Sequence, residues 1–180
     1  MALKATILKA ELHIADMERH YYNSHNLTIA RHPSENDERM MLRILVFALH
    51  ADEHLTFTKG ISTDDEPDIW RKNLSGEIEL WIELGQPDEK RIRRACGRAK
   101  QVLIYNYGGR QADIWWQQSQ TSLKRFRNLT VVNIPYQASS QLRDMAAKAM
   151  QLQCTIQDGQ VLMTDDQHSI DIELEKRELM

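Results

Sequence analysis

The chain has 180 residues, of which 42% are hydrophobic and 27% are charged, and its formal net charge is -3 at pH 7. This length predicts one domain, residues 1–180, that buries a core of its own. The slightly acidic balance excludes a nucleic-acid-binding signal spread over the whole chain, so any such surface has to be local.

The sequence also disfavours a membrane protein and an extracellular protein. The longest apolar stretch, MMLRILVFALHA, is broken by Arg43 and is too short to cross a membrane. MALKATILKAEL lacks the continuous apolar segment of a signal peptide. Cys96 and Cys154 are far apart and form no metal or redox motif, which predicts reduced, buried thiols in a cytoplasmic protein.

The first third of the chain predicts two strands and a helix. Apolar residues at every second position indicate a strand over residues 2–15, and YYNSHNLTIA is typical of its hairpin partner. In HPSENDERMM, Ser34 is the predicted N-cap of the helix. Glu38 shares a face with the apolar stripe of that helix, which places it at the rim of the surface on which the helix packs.

The middle of the chain predicts strands around a second helix. LTFTKGI indicates a short strand, residues 68–83 a β-hairpin, and VLIYNYGG an apolar strand. PDEKRIRRACGRAKQ predicts the helix, with Pro87 in its first turn.

The last third mixes both patterns. Asp113 to Lys124 predicts a short helix, NLTVVNIP a strand and SSQLRDMAAKAMQL a third helix. Asp158-Gly159 predicts a hairpin turn, and SIDIELE a further strand. The order of elements predicts an α/β fold with a mixed central sheet flanked by helices, and a β-rich lobe formed by both termini.

The hairpin has a register that can be derived from its sequence. If Ser75-Gly76 is a two-residue turn, facing residues have numbers that sum to 151. Isoleucine then meets isoleucine, tryptophan meets tryptophan, and Lys72 meets Glu79, pairs that stabilise a sheet by roughly 0.2 to 1 kcal/mol each. The remaining pair, Asp68 with Glu83, sets like charges opposite each other.

Two interpretations of Asp68 and Glu83 remain open from the hairpin alone. Two carboxylates on neighbouring strands can share a divalent cation, which turns their repulsion into attraction, and Mg²⁺ or Mn²⁺ suits such oxygen ligands. Alternatively, both side chains lie in water, where the repulsion is weak and screened.

Several strings of this sequence resemble the YaeQ family, a family of bacterial proteins. They are ARHPSENDERMMLRIL, DDEPDIW, ELWIELGQPDEKRIRRACGRA and IWWQQ. The resemblance runs over nearly the whole chain and implies a variant of the PD-(D/E)XK, or restriction-endonuclease-like, nuclease core over about residues 34–107. It implies no particular biochemical activity.

The resemblance also implies a set of site residues. Pro67-Asp68 is similar to the "PD" of the nuclease motif, Glu83 to its second acid, and Glu38 to the helix carboxylate that often joins such sites. Where the motif has lysine, two residues after the second acid, this chain has Gly85. Lys90 is the first candidate to supply the missing cation.

Three functions follow as alternatives. In the first, Mg²⁺ or Mn²⁺ on Asp68 and Glu83 hydrolyses a phosphodiester of nucleic acid, with Lys90 neutralising charge. In the second, Arg91, Arg94 and Arg98 of the second helix bind nucleic acid without cleavage. The third is a protein-interaction module.

Overall fold

The computed structural model describes residues 4–59 and 65–179, and the chain divides into two compact units. The first unit comprises Met1–Ala51 and Gln137–Glu173, and the second comprises Asp52–Tyr136 and Leu174–Met180. Each unit is built around a β-sheet of its own. Residues 2 and 3 of the first predicted strand, and residues 60 and 61 at the end of LTFTKGI, lie outside the described residues.

The described residues form eleven strands and four helices. In chain order they are β1 (Thr6–Asp16), β2 (Tyr21–Arg31), α1 (Asp37–His50), β3 (Leu55–Phe57), β4 (Ile69–Lys72), β5 (Ile78–Leu84), α2 (Glu89–Arg98), β6 (Ala99–Asn106), α3 (Arg110–Leu123), β7 (Leu129–Asn133), α4 (Tyr136–Arg143), β8 (Ala149–Gln157), β9 (Gln160–Thr164), β10 (Ser169–Ile172) and β11 (Glu175–Arg177).

The first unit contains a five-stranded mixed sheet in the order β10-β9-β8-β1-β2. β1 pairs antiparallel with β2 and parallel with β8, so early and late segments of the chain share one sheet. Along β1, Leu8, Ala10, Leu12 and Ile14 are buried and most residues between them are more exposed, the alternation of a strand with one covered face. The predicted β-rich lobe from early and late segments is confirmed in part, because the last strand, β11, belongs to the sheet of the second unit.

α1 begins later than the sequence predicts. Asn36 is its N-cap, and the Asn36 side chain accepts the backbone N–H of Arg39 at 2.9 Å. The prediction of Ser34 as N-cap is wrong, because the Ser34 hydroxyl lies 2.6 Å from the ring of His32 instead. All residues from Met40 to Ala48 are buried, so α1 is covered on every side rather than along one stripe.

The second unit contains a six-stranded mixed sheet in the order β11-β7-β6-β5-β4-β3. β5, β6 and β7 are parallel, and the strands outside them pair antiparallel. One face packs against α2 and α3 in a cluster of ten buried residues: Ile78, Trp81, Ile92, Ala95, Ala99, Val102, Ile104, Leu123, Leu129 and Val131. The α/β class with mixed sheets is confirmed, whereas a restriction-endonuclease-like core over residues 34–107 stays a prediction.

The β4–β5 hairpin shows part of the predicted register. Ile69 pairs with Ile82 and Trp70 with Trp81, which confirms the matched aliphatic and aromatic pairs. The two indole rings meet edge to face, with centroids 6.2 Å apart and an interplanar angle of 72°. This contact aligns the residues on either side of it.

The turn of this hairpin differs from the prediction. Its loop has three residues, 74–76, because Asn73 donates its backbone N–H to the Glu77 carbonyl at 3.0 Å. Gly76 has a φ of +86°, a conformation that glycine adopts without strain. The predicted two-residue turn is therefore wrong.

A bulge next to this loop restores the register. Lys72 pairs with Ile78 rather than with the predicted Glu79, and the register shifts between Arg71 and Lys72. The bulge also brings Ile78 into the cluster that contains Trp81, although the sequence pattern predicts opposite faces for these two residues. The longer loop and the bulge cancel, so the pairing beyond them matches the prediction.

Late segments of the chain contain a confirmed turn and two wrong predictions. The Asp158-Gly159 turn joins β8 to β9, with both residues at positive φ. The third predicted helix is too long, because α4 ends at Arg143 and residues 149–152 start β8. Alternate residues of β8 are buried, and pairing with β1 outweighs the helix propensity of its Ala, Met, Gln and Leu residues. SIDIELE is not one strand, since β10 and β11 belong to different sheets.

Candidate functional site

The candidate site lies at the start of β4 and the end of β5 in the second unit. Asp68 immediately precedes β4, and Glu83 is the penultimate residue of β5. The two residues retain only 3% and 4% of their solvent exposure. Carboxylates are almost never buried to this extent unless they are paired, so this burial alone separates the pair from ordinary surface acids.

Asp68 is bound to β5 through both its backbone and its side chain. Its N–H donates to the Ile82 carbonyl at 3.1 Å, and its Oδ2 accepts the backbone N–H of Leu84 at 2.8 Å. The last regular pair of β4 with β5 is Ile69 with Ile82, and Asp68 lies one residue beyond it, just outside the strand. The two acids are thus brought to the same end of the hairpin, although Asp68 does not form the predicted ladder pair with Glu83.

Glu83 receives two hydrogen bonds on one oxygen. Its Oε1 accepts the indole N–H of Trp81 at 2.8 Å and the Arg91 Nε–H at 2.9 Å. Burial raises the pKa of the Glu83 carboxyl above its ordinary value, the Arg91 hydrogen bond opposes this, and the negative charge of Asp68 adds to the rise. The two carboxylates therefore interact electrostatically across the site.

Arg91 is a basic residue that contacts Glu83 of this acid pair. It lies in the first turn of α2, where its backbone N–H donates to the N-cap side chain of Asp88 at 2.8 Å. Its Nη2 donates to the Glu66 carbonyl at 2.7 Å. The sequence predicts Arg91 to bind nucleic acid and does not reveal this inward contact.

Gly85 has a backbone conformation that explains the missing lysine. Its φ is +99°, in the region that L-residues rarely adopt, and its N–H donates to the Tyr105 carbonyl at 2.9 Å. A lysine at this position would be strained even though a Cβ atom meets only Tyr107, at 3.9 Å. A cation at the site has to come from another element.

Lys90 and Glu38 take part in none of the hydrogen bonds described above. Lys90 is exposed on α2, and within the described part of the chain it forms no ion pair. Glu38 lies in the first unit, half-buried, where its Oε2 accepts a long hydrogen bond of 3.4 Å from the Ser139 hydroxyl. Their predicted catalytic roles stay predictions.

The other basic residues of α2 divide into two groups. Arg98 donates to the Asp65 carbonyl at 2.7 Å and lies over the Trp81 ring, 5.1 Å from its centroid. Arg94 is exposed and, among the described residues, has no ion-pair partner. Of the three arginines predicted to bind nucleic acid, only Arg94 forms neither a hydrogen bond nor an ion pair through its side chain within the described residues.

The donor set at the site suits one kind of metal. Across residues 4–59 and 65–179, no three His, Cys, Asp or Glu side chains are grouped to hold an ion. A closed zinc centre is therefore not formed by the described residues. Mg²⁺ differs, because it commonly uses one or two carboxylates and fills its remaining positions with water and substrate phosphate. Asp68 and Glu83 fit that pattern.

Comparison with known proteins identifies the family. The family model described as YaeQ protein matches residues 1–174. The uncharacterized protein YaeQ of Escherichia coli (strain K12) is 47% identical over 174 residues, which cover 97% of this chain and 96% of that protein. The chain belongs to the YaeQ family.

Crystal structures of two other YaeQ proteins have the same fold. The protein from Xanthomonas axonopodis pv. citri has 45% identity and a TM-score of 0.93, with 98% of this chain and 99% of that chain covered. The protein from Pseudomonas syringae has 32% identity and a TM-score of 0.92, with 97% and 96% covered. The resemblance of the sequence to a bacterial family is thereby confirmed.

The remaining predictions for this YaeQ protein concern membrane helices, the two cysteines and the cellular location. Within residues 4–59 and 65–179, no helix is both long and apolar enough to cross a membrane. Cys96 and Cys154 are free thiols. The predicted burial is confirmed for Cys154, whereas Cys96 is only half-buried. The cytoplasmic location stays a prediction.

Proposed function

We propose that this protein hydrolyses phosphodiester bonds of nucleic acid with a divalent cation, on a variant of the PD-(D/E)XK nuclease scaffold. The observation that carries the proposal is the buried Asp68–Glu83 pair. Both acids are retained inside the unit, at 3% and 4% exposure, and the charge of Asp68 adds to the burial that raises the pKa of Glu83. Arg91 compensates the charge of Glu83, and two neighbouring buried acids with one such partner are typical of functional sites.

The residues of the chain have separable tasks in this proposal. Mg²⁺ or Mn²⁺, when bound, lowers the pKa of water and stabilises charge on a phosphate. The Leu84 N–H holds Asp68 Oδ2, and this bond fixes the orientation of the whole Asp68 carboxylate. Glu83 is oriented through Oε1 by Trp81 and Arg91, and neither bond uses Oε2.

The exposed side of α2 offers a surface for the substrate. Lys90, Arg93 and Arg94 are exposed there, and none of them has an ion-pair partner among the described residues. Unpaired cations on one helix attract a phosphate backbone and release counterions when it binds, so affinity falls steeply with salt. This local charge is consistent with a chain whose net charge is -3.

Cleavage assays of Asp68→Asn and Glu83→Gln test the proposal. Single- and double-stranded DNA and RNA are incubated with Mg²⁺, Mn²⁺ or EDTA, and wild-type protein is expected to cleave at least one substrate only with a divalent cation. Each variant is expected to lose about 100-fold or more in rate, because it removes a ligand that acts in the transition state. Glu79→Gln is the matched control, since Glu79 lies on β5 and is only partly buried.

Binding without cleavage is the second candidate, and the Arg91–Glu83 ion pair favours it. A guanidinium 2.9 Å from Glu83 already neutralises one of the two acids. Under this alternative, nucleic acid binds to α2, and Arg94→Ala weakens binding and reduces the salt dependence by about one counterion. Binding that persists in EDTA, with no cleavage in any divalent cation, would select this candidate. Failure of both assays leaves the protein-interaction module.

A further inference from the structure

Arg91 connects the two sides of the acid pair. Its Nε donates to Glu83 Oε1 at 2.9 Å, and its Nη2 donates to the Glu66 carbonyl at 2.7 Å. Glu66 is two residues before Asp68 in the chain. One planar guanidinium therefore joins the second acid to the segment that leads into the first.

The base of this side chain is fixed as well. The Arg91 N–H is bound by the N-cap residue Asp88, and the side chain is 23% exposed. Because the donors of a guanidinium have a rigid, planar arrangement, two acceptors held at once define its orientation. A flexible lysine ammonium does not impose the same constraint.

The geometry points to Arg91 as the positioning residue of the acid pair, which holds the segment before Asp68 against Glu83 where the motif would have its lysine. The backbone of Gly85, at a φ of +99°, disfavours lysine at that place. The relevance of this role to a cation site rests on the proposed function, whereas the positioning itself does not.

The chemistry of arginine limits what this residue does. A guanidinium stays protonated at all physiological pH values and has no acceptor, so Arg91 cannot take a proton from water. It neutralises charge and fixes the Glu83 carboxylate. Arg98 adds a second tie from α2, through its bond to the Asp65 carbonyl.

Amide hydrogen exchange measured by NMR tests this role. The Leu84 N–H reports on the Asp68 side chain directly, because it is bonded to Asp68 Oδ2. In Arg91→Gln, the Leu84 and Asp68 amides are expected to exchange about tenfold faster or more, since charged hydrogen bonds are lost. The Ile104 and Val131 amides in the core of the same unit are expected to stay within about twofold of wild type.

Two further variants complete the experiment. Arg94→Gln, one turn away and exposed, is expected to leave all four amides unchanged. Arg91→Lys keeps the charge but not the two-acceptor geometry, so the Leu84 amide is expected to remain faster than in wild type. Wild-type exchange at Leu84 in Arg91→Gln, equal acceleration of every amide, or full rescue by lysine would each overturn the inference.

A Mn²⁺ titration of the wild-type protein separates this inference from the proposed function. Paramagnetic broadening of the Leu84 amide signal is expected if the acid pair binds the ion. Absence of broadening, with Arg91→Gln still affecting only Leu84 and Asp68, would reject the cation site and keep the positioning role.

Discussion

Arg43 and Glu35 form an ion pair with the Arg43 Nη2 and Glu35 Oε1 atoms 2.6 Å apart, and both side chains are almost excluded from solvent. Arg43 Nε also donates to Glu35 Oε2 at 2.9 Å, and Arg39 donates to the same oxygen. A further bond from Arg43 reaches the Ala30 carbonyl of β2. This cluster joins the start of α1 to the end of β2 within the first unit.

Removal of Glu35 is expected to destabilise the first unit strongly. Glu35→Gln leaves the buried Arg43 guanidinium without its counter-charge, which costs about 3 to 5 kcal/mol of unfolding free energy. Urea unfolding followed by circular dichroism measures this loss. The exposed Glu173→Gln in the same unit should change the unfolding free energy by no more than about 0.5 kcal/mol. A loss below about 1 kcal/mol in Glu35→Gln would contradict the role of this pair.

Gly85→Lys, which restores the motif lysine, is expected to destabilise the protein and to give no gain in cleavage. The positive φ of Gly85 costs an L-residue about 1 to 2 kcal/mol. Thermal unfolding and the cleavage assay measure the two effects. Gly97→Ala is the matched control. Gly97 is in α2 with open space around its Cα, so alanine should stabilise the protein by about 0.5 to 1 kcal/mol. Unchanged stability of Gly85→Lys would refute the backbone explanation.

Asn73→Ala is expected to weaken the β4–β5 hairpin. The Asn73 Oδ1 accepts the backbone N–H groups of Ser75 and Glu77, at 2.9 and 3.0 Å, and so holds the three-residue loop in place. Loss of both bonds should cost about 1 to 2 kcal/mol, measured by chemical denaturation. Leu74→Ala serves for comparison, because Leu74 is 94% exposed and its removal should be neutral. Equal effects of the two substitutions would argue against a side-chain-stabilised turn.

The two thiols are expected to react slowly with iodoacetamide at pH 8. Burial raises the pKa of Cys96 to about 11 and that of Cys154 to about 12, and only the thiolate is nucleophilic. Since each pKa unit changes the thiolate fraction about tenfold, Cys96 should react about 100-fold more slowly than in unfolded protein. Because the pKa of Cys96 is higher in the folded state, the neutral thiol stabilises the fold below about pH 9. This contribution to stability is lost as the pH rises through about 11.

Single-cysteine variants assign the two rates by mass spectrometry. Cys154→Ser leaves the half-buried Cys96, and Cys96→Ser leaves the buried Cys154, which should be the slower thiol. Rapid alkylation of Cys154 in folded protein would show that its surroundings open more readily than its burial indicates.

The sequence was sufficient to predict pairs of like residues and insufficient to predict the turn between them. Trp70 with Trp81 and Ile69 with Ile82 are matched by type, so the register of the hairpin was recoverable. A three-residue loop and a bulge each shift the pairing by one residue, in opposite senses. Nothing in the alternation of side chains distinguishes that combination from a plain two-residue turn.

Arg91 shows the corresponding limit for the site. Composition reveals a basic helix, but which arginine faces inward depends on the rotation of α2 against the sheet. Arg91, Arg94 and Arg98 have the spacing i, i+3 and i+7, which places all three on one side of α2, whereas the structure shows bonds to the acidic segment from Arg91 and Arg98. That spacing is the signal available in the sequence. It becomes decisive only when the position of the acidic segment before Asp68 is known.

The parallel pairing of β1 with β8 has a consequence for biosynthesis. Nearly all of the second unit lies between these two strands in the chain, so on the ribosome the β1–β2 hairpin is made long before its neighbour β8 exists. Contacts of such high sequence separation form slowly and leave strand edges exposed meanwhile. The β1 edge of the nascent hairpin thus stays without its parallel neighbour until β8 has been translated.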